Sequence, residues 1–243
     1  MNSNKKNSFD REDRATLEDQ DKLDKRAKAF MHWQSLVVKQ GFNLPHWSCD
    51  GAIYHVSLRL ADSVPLAVCE GWKHEREEII AHAASVGRPL TDEEELQLQN
   101  LYSERIENYL DAGHGACHLR QPEIARMLIS ALLFFCGQRY ALHAWCLMPN
   151  HIHIVFLPLP GWTPAKILRS FSSYTAHEAN KILGLTGQFW QHEPYDHIIR
   201  SPREYAFQVR YVWENPDKAA LRNWPWRDVN PLALELLETF RHD

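Results

Sequence analysis

The strongest constraint on the fold is a pair of apolar-rich runs, RYALHAWCLM over 139–148 and HIHIVFLPL over 151–159, separated only by Pro149 and Asn150. Each reads as a strand, and so short a turn-forming link favours an antiparallel hairpin. Side chains on a strand alternate faces, so His151 and His153 project to one side, about 6–7 Å apart, while Ile152 points into the other layer.

The rest of the chain is arranged around this hairpin. GAIYHVSLRLA alternates, with Ile53, His55, Ser57 and Arg59 on one side and Ala52, Tyr54, Val56, Leu58 and Leu60 on the other, and is expected to be a half-buried strand. From about 69 to 112 the sequence is charged and helical in two stretches parted by SVGRPLTDEEE, where Thr91 and Glu94 have capping-box spacing, so an inserted helical hairpin is expected. PEIARMLISALLFFCGQ sets Ile124, Met127, Leu128, Ala131, Leu132 and Phe135 at helical spacing. A helix from Pro164 to Leu183 closed by Gly184 follows, then the strand PYDHIIR, then a last helix with Ser201 as cap and Pro202 at its first position. This order predicts an α+β fold: a ferredoxin-like antiparallel sheet with helices packed on one face. The first 32 residues read as a disordered or loosely helical charged tail, 33–230 as one catalytic domain carrying the insertion, and 231–243 as a C-terminal tail.

Composition narrows the class. The hydrophobic fraction of 44% supports a buried core, no apolar run reaches membrane-spanning length, and the amino-terminal stretch is charged rather than signal-like, so a cytoplasmic protein without membrane contact is expected. Five scattered cysteines argue against a disulfide framework and a zinc knuckle. The net charge of −4 hides an asymmetry: residues 1–115 hold 14 Lys and Arg against 20 Asp and Glu, and residues 116–230 hold 12 against 8. A nucleic-acid surface is therefore expected in the second half.

A bare His-x-His pair is a weak signal by itself, since strand histidines are commonly core or surface residues. Here it comes with YVWEN, which sets Tyr211 and Asn215 at i and i+4 on one helical face. AWCLMPNHIHIVFLP, FWQHEPYDHIIR and VRYVWENPDKAAL, in that order, resemble the signature blocks of the REP-associated tyrosine transposases, a branch of the single-tyrosine HUH transposases. The similarity runs over roughly residues 44 to 227. It implies that His151 and His153 bind a metal, that Tyr211 is the nucleophile, and that Asn215 stands where the wider family carries a polar helix residue completing the metal shell; some relatives have Gln there. Tyr174 is the rival nucleophile, with Tyr195 and Tyr205 read as packing residues.

The implied cofactor is a divalent metal, Mg or Mn, and the implied reaction is nicking and rejoining of single-stranded or hairpin DNA through a 5′-phosphotyrosine. A phenol ionises near pH 10, so its deprotonation needs help; His197 and Glu214 are the candidate bases. Lys166, Arg169 and Lys181 on the penultimate helix, with Arg200, Arg203, Arg210 and Lys218 around the nucleophile, form a candidate phosphate track. Phe189, Trp190 and His192 are candidates for base stacking, with packing the competing fate of the tryptophan. Two alternatives remain: a catalytically silent hairpin-binding protein, and a metal-dependent nuclease using water. The resemblance leaves monomer or homodimer open, and the inserted hairpin is expected to be a partner or DNA-clamping surface or a solvated elaboration.

Overall fold

A computed structural model describes residues 37–40, 45–91, 93–94 and 105–239. The charged stretch over 1–32 lies outside them. The first elements are the short antiparallel pair β1 (Val37–Gln40) and β2 (Pro45–Ser48). They are followed by β3 (Ile53–Arg59), α1 (Leu66–Ser85), a helical segment over 105–111 and a single 3-10 turn at His118–Arg120. Then come α2 (Pro122–Phe134), β4 (Tyr140–Leu147), β5 (His151–Pro158), α3 (Pro164–Leu183), β6 (Tyr195–Ile199), α4 (Pro202–Lys218), β7 (Arg227–Val229) and α5 (Pro231–Thr239). Over 53–218 this is the element order read from the sequence. The segment expected as a C-terminal tail begins with α5, whose Ala233 is buried. No helix among the described residues is long and apolar enough to cross a membrane.

Five strands form one antiparallel sheet in the order β6-β3-β5-β4-β7. The α+β class with an antiparallel sheet is as expected, but helices cover both faces rather than one. On one face α2 and α3 pack over Tyr54, Val56 and Leu58 of β3 and Ile152, Ile154 and Phe156 of β5. On the other, α4 lays Tyr205, Val209 and Val212 over Ile53, Ala144, Cys146, Val155 and Ile199. The cause is in the central strands: β5 carries Val155 between Ile154 and Phe156, and both of its faces are dry. Strands covered on both sides lose the apolar–polar alternation of a half-solvated sheet. For the same reason β3, expected half-buried, is buried on both sides through Leu58.

Local signals set the helix limits. Thr163 Oγ1 accepts from Lys166 N–H at the start of α3, and Gly184 ends it at φ 65°, a left-handed position glycine adopts without a Cβ penalty. Ser201 Oγ accepts from Glu204 N–H at 3.1 Å to open α4. A bulge at His143 in β4 shifts the register between Leu142 and Ala144, and His143 Nδ1 meets the Tyr205 hydroxyl of α4 at 2.6 Å.

The insertion is helical on both described sides. Thr91 and Glu94 form the expected capping box, with Glu94 N–H donating to Thr91 Oγ1 (3.2 Å) and Thr91 N–H to Glu94 Oε2 (2.9 Å). Arg105 pairs with Glu75 at 2.6 Å and Trp72 meets Tyr109 edge-on, so the segment 105–111 returns alongside α1. Its exit is fastened where Ala116 N–H donates to Asp62 Oδ2 at 2.7 Å. Gly115 there has φ +84°, and a Cβ on it would lie 2.7 Å from the Asp62 carbonyl oxygen.

Candidate functional site

The strand register decides which side chains meet. His153 lies opposite Ser57 and His151 opposite Arg59, so the His55–Ser57–Arg59 side of β3 shares a face with both histidines of β5. That face lies under α4. Four residues singled out in the sequence gather here. His151 and His153 bring their Nε2 atoms to 3.0 Å, the Tyr211 ring lies edge-on to His153 with centroids 5.4 Å apart, and Asn215 is fully buried one turn beyond Tyr211.

Asn150 fixes the tautomer of the first histidine. Its amide NH2 donates to the carbonyls of Leu110 (3.0 Å) and His114 (2.9 Å), which leaves Oδ1 to accept from His151 Nδ1 at 2.7 Å. His151 Nε2 is then a bare lone pair, and His153 Nε2 must carry the proton between them. His153 Nδ1 in turn accepts from His55 Nε2 at 3.1 Å. Sequence reading placed His55 on this face but gave it no role; its stacking on His153 and edge contact with Tyr211 make it part of the site. Burial, reinforced by neighbouring histidines, holds His55 and His153 well below the ordinary imidazole value. Burial and Arg59 push His151 down to about 3. All three rings are neutral at neutral pH, the form that ligates metals.

Among the described residues no three His, Cys, Asp or Glu side chains stand as a ready cluster for a metal ion. The donor set is the His151 Nε2 lone pair and the His153 Nε2 beside it, which becomes a second donor when the His153 proton shifts to Nδ1 and His55 Nε2 accepts it, with oxygens at the margin. Asp111 Oδ1 lies 3.8 Å from His151 Nε2 and makes no hydrogen bond, and neither polar atom of the buried Asn215 amide makes one. Buried polar atoms without partners are uncommon and mark places where a ligand or ion belongs. The residues fit a divalent cation whose shell is completed by water or phosphate oxygens.

The Tyr211 hydroxyl donates to Glu107 Oε2 at 2.5 Å. Burial, with Glu107 and Asp111 adding to it, pushes the phenol well above its ordinary value, while the nearby Asn215 amide pulls the other way. Lys218 Nζ stands 4.8 Å from the Tyr211 ring centroid. Neither candidate base touches the phenol: His197 is bound to Glu204 at 2.5 Å and Glu214 faces Lys218 at 3.9 Å. Glu107 and Asp111 were not singled out in the sequence. Their i, i+4 spacing was visible, but nothing local told which way the insertion would turn.

Tyr174 stands on α3, on the opposite face of the sheet, exposed beside Phe171 and the aromatic end of α2, and is not part of this site. The cationic track divides. Lys166, Arg169 and Lys181 are exposed on α3, whereas Arg203, Arg210 and Lys218 lie on α4 and Arg200 just before it, with Lys218 against the Tyr211 ring. Phe189 and Trp190 are core residues, with Trp190 Nε1–H donating to the buried Thr175 Oγ1 at 2.9 Å, which removes them as base-stacking platforms. Tyr205 is buried in the second core, as a packing residue should be.

Residues 124–201 match the family model described as Transposase IS200 like. A curated protein named REP-associated tyrosine transposase, from Escherichia coli (strain K12), is 27% identical over a match 100 residues long that covers 37% of this chain and 57% of that protein. The chain thus matches little more than half the length of that relative. A solved structure titled "Structure of the REP associates tyrosine transposase bound to a REP hairpin" covers 78% of this chain and 80% of its own at 15% identity; its TM-score of 0.41 marks a likeness too loose to argue from.

Proposed function

We propose, for a chain similar to the REP-associated tyrosine transposases and carrying an IS200-like transposase region over 124–201, the nicking and rejoining of single-stranded or hairpin-forming DNA with Tyr211 as nucleophile. The observation that carries this reading is the meeting of a helix-borne phenol with a strand-borne imidazole pair: Tyr211 against His153, 5.4 Å between ring centroids, with Asn215 on the same helical flank.

The chemistry follows from these parts. Tyr211 oxygen attacks the scissile phosphorus in line, the bond to the 3′ oxygen breaks, the upstream fragment leaves with a 3′ hydroxyl, and the downstream fragment stays joined to Tyr211 through its 5′ phosphate. Attack on that link by another 3′ hydroxyl restores a phosphodiester and returns the phenol. A phosphotyrosine keeps the energy of the bond it replaces, so rejoining needs no nucleotide cofactor. His151 and His153, with Asn215 and Asp111 at the margin, would hold the divalent cation, Mg or Mn. That ion, when bound, supplies Lewis-acid withdrawal of charge from a non-bridging phosphate oxygen. Arg203, Arg210 and Lys218 offer phosphate contacts beside the nucleophile.

The test is a denaturant-stable adduct. A hairpin-forming single strand labelled at its 3′ end, on the fragment downstream of the break, is expected to become covalently attached on incubation with the protein and Mn²⁺, and Tyr211→Phe is expected to abolish attachment. Cleavage that persists in Tyr211→Phe without an adduct would make water the nucleophile; binding without cleavage in the unmodified protein would leave a silent hairpin binder.

A further inference from the structure

The insertion does more than decorate the fold, because its returning helical segment over 105–111 forms one wall of the site. Glu107 and Asp111 stand one turn apart and address two partners: Glu107 accepts the Tyr211 hydroxyl, and Asp111 approaches His151. The placement is held from three directions. Arg105 and Trp72–Tyr109 tie the segment to α1, Asn150 draws the Leu110 and His114 carbonyls toward the histidine strand, and Asp62 holds Ala116. A carboxylate on a loose surface helix would not meet a part-buried phenol at 2.5 Å; this one is steered there by contacts on both sides of it.

We propose that the insertion completes the active site, with Glu107 as the base that takes the Tyr211 proton during strand cleavage. The inference rests on the reading of Tyr211 as nucleophile. The step balances as follows: the phenol O–H bond breaks and its proton passes to the Glu107 carboxylate as the Tyr211 O–P bond forms. The P–O3′ bond breaks, and the departing 3′ oxygen keeps the electron pair and takes a proton from solvent. In rejoining, the incoming 3′ hydroxyl gives its proton to solvent and the protonated Glu107 returns one to the departing phenolate. Lys218, over the face of the same ring, favours the anionic phenol while the proton is away. This gives a catalytic part to the inserted hairpin, for which the sequence left open a partner or DNA-clamping surface or a solvated elaboration.

The experiment is single-turnover adduct formation by the full chain on a hairpin-forming oligonucleotide with Mn²⁺, alongside hairpin affinity without metal. Glu107→Gln keeps a hydrogen-bond acceptor but no longer accepts a proton. It is expected to slow adduct formation by about 10²–10⁴-fold while affinity for the hairpin stays within about twofold. Replacing Tyr211 by a fluorinated tyrosine, whose phenol ionises more easily, is expected to narrow the rate gap between proteins with and without Glu107→Gln by at least about tenfold, because a nucleophile that sheds its own proton needs no base. A positioning role alone predicts no such recovery. Glu107→Asp keeps the carboxylate one methylene short and is expected to fall between the two, which serves if Glu107→Gln does not fold. The proposal is overturned if Glu107→Gln reacts within about threefold of the unmodified protein, if fluorination leaves its deficit untouched, or if Glu107→Asp is as slow as Glu107→Gln. Failure of the unmodified protein to form a Tyr211-linked adduct overturns the nucleophile reading and this inference with it.

Discussion

Replacing Asn215 by alanine should make the metal-free protein more stable, although Asn215 is fully buried in the helix that carries the site. Neither polar atom of its amide makes a close hydrogen bond, and its polar neighbour is the Tyr211 phenol, so folding strips water from the group and returns little. Removing a desolvated, unpaired amide recovers about 1–3 kcal/mol. Alanine is better than asparagine inside a helix by about 0.5 kcal/mol. Against this, the lost side-chain volume, on the order of 25 Å³, costs about 0.6 kcal/mol at roughly 24 cal/mol per Å³. The balance is a gain of about 1–3 kcal/mol, roughly 2–4 °C in Tm per kcal/mol for a chain of this size. Thermal and urea denaturation in chelator measures it. With saturating Mn²⁺ the gap should narrow: the unmodified protein gains about 2.7 kcal/mol at a metal concentration a hundredfold above Kd, and the variant gains less because it has lost a candidate donor. A metal-free Asn215→Ala protein less stable by more than about 1 kcal/mol would refute the reasoning, since it would mean that the amide is satisfied where it lies.

Stability should fall as the medium is acidified from pH 7 to pH 5. His55, His143, His151 and His153 are all held below their unfolded value, so the unfolded chain binds protons first, and their contribution, complete above about pH 7, is lost as pH drops. His143, pushed down to about 4 by burial, alone gives up about 2 kcal/mol by pH 5. Asp111, raised to about 6 chiefly by burial, works in the opposite sense by about 1.4 kcal/mol, which four histidines outweigh; urea midpoints that stay flat between pH 7.5 and 5 would count against this. Gly115→Ala should cost upwards of about 2 kcal/mol, because it places a Cβ 2.7 Å from a backbone oxygen at a positive φ, and should expose the 112–117 loop to limited proteolysis. An unchanged urea midpoint and digestion pattern would show that the loop moves aside. Thr175→Val should lower stability by about 1–3 kcal/mol by stranding Trp190 Nε1–H in the core, read by urea denaturation.

What sequence made legible and what it left dark divide along the range of the interactions. Caps, turns and strand alternation are decided within a few residues, which is why Thr91–Glu94, Ser201–Glu204 and Gly184 fall where they were read. The i, i+4 pair Tyr211 and Asn215 was legible for the same reason. Strand order was not. Alternation put His55 on the chemical face of β3, but only the pairing of β3 with β5 lays it against His153. The two-faced sheet was missed because the alternating HIHI stretch of β5 looks one-sided: its histidines read as an outward face, whereas they are dry beneath α4. Glu107 is 104 residues from Tyr211, and no local rule spans that distance.

The geometry also shows why the site can be exact without being rigid by itself. On α4 the residues Tyr205, Val209, Val212 and Pro216 form the buried stripe, and Tyr211, Asn215 and Lys218 run along one flank of it, at steps of three and four. The stripe is locked by close packing against Val155, Ala144 and Cys146, so the flank can turn only if the second core is repacked, at a cost of several kcal/mol. Facing that flank, the insertion presents Glu107 and Asp111 at the same i, i+4 interval. The imidazoles on the sheet are therefore bordered by two helical stripes, one set by core packing and the other by the Asn150, Asp62 and Arg105 contacts. Weakening the second set should move Glu107 away from Tyr211 without moving Tyr211 from His153. Asp62→Ala removes the contact that fastens the loop at Ala116 without touching the histidines, so it should slow adduct formation while leaving the Mn²⁺-free urea midpoint little changed. Amide hydrogen exchange would read this as faster exchange over 105–117 with β3 and β5 unchanged. Equal loss of protection in β5 would mean that insertion and sheet unfold as one unit, and that the two stripes are not set independently.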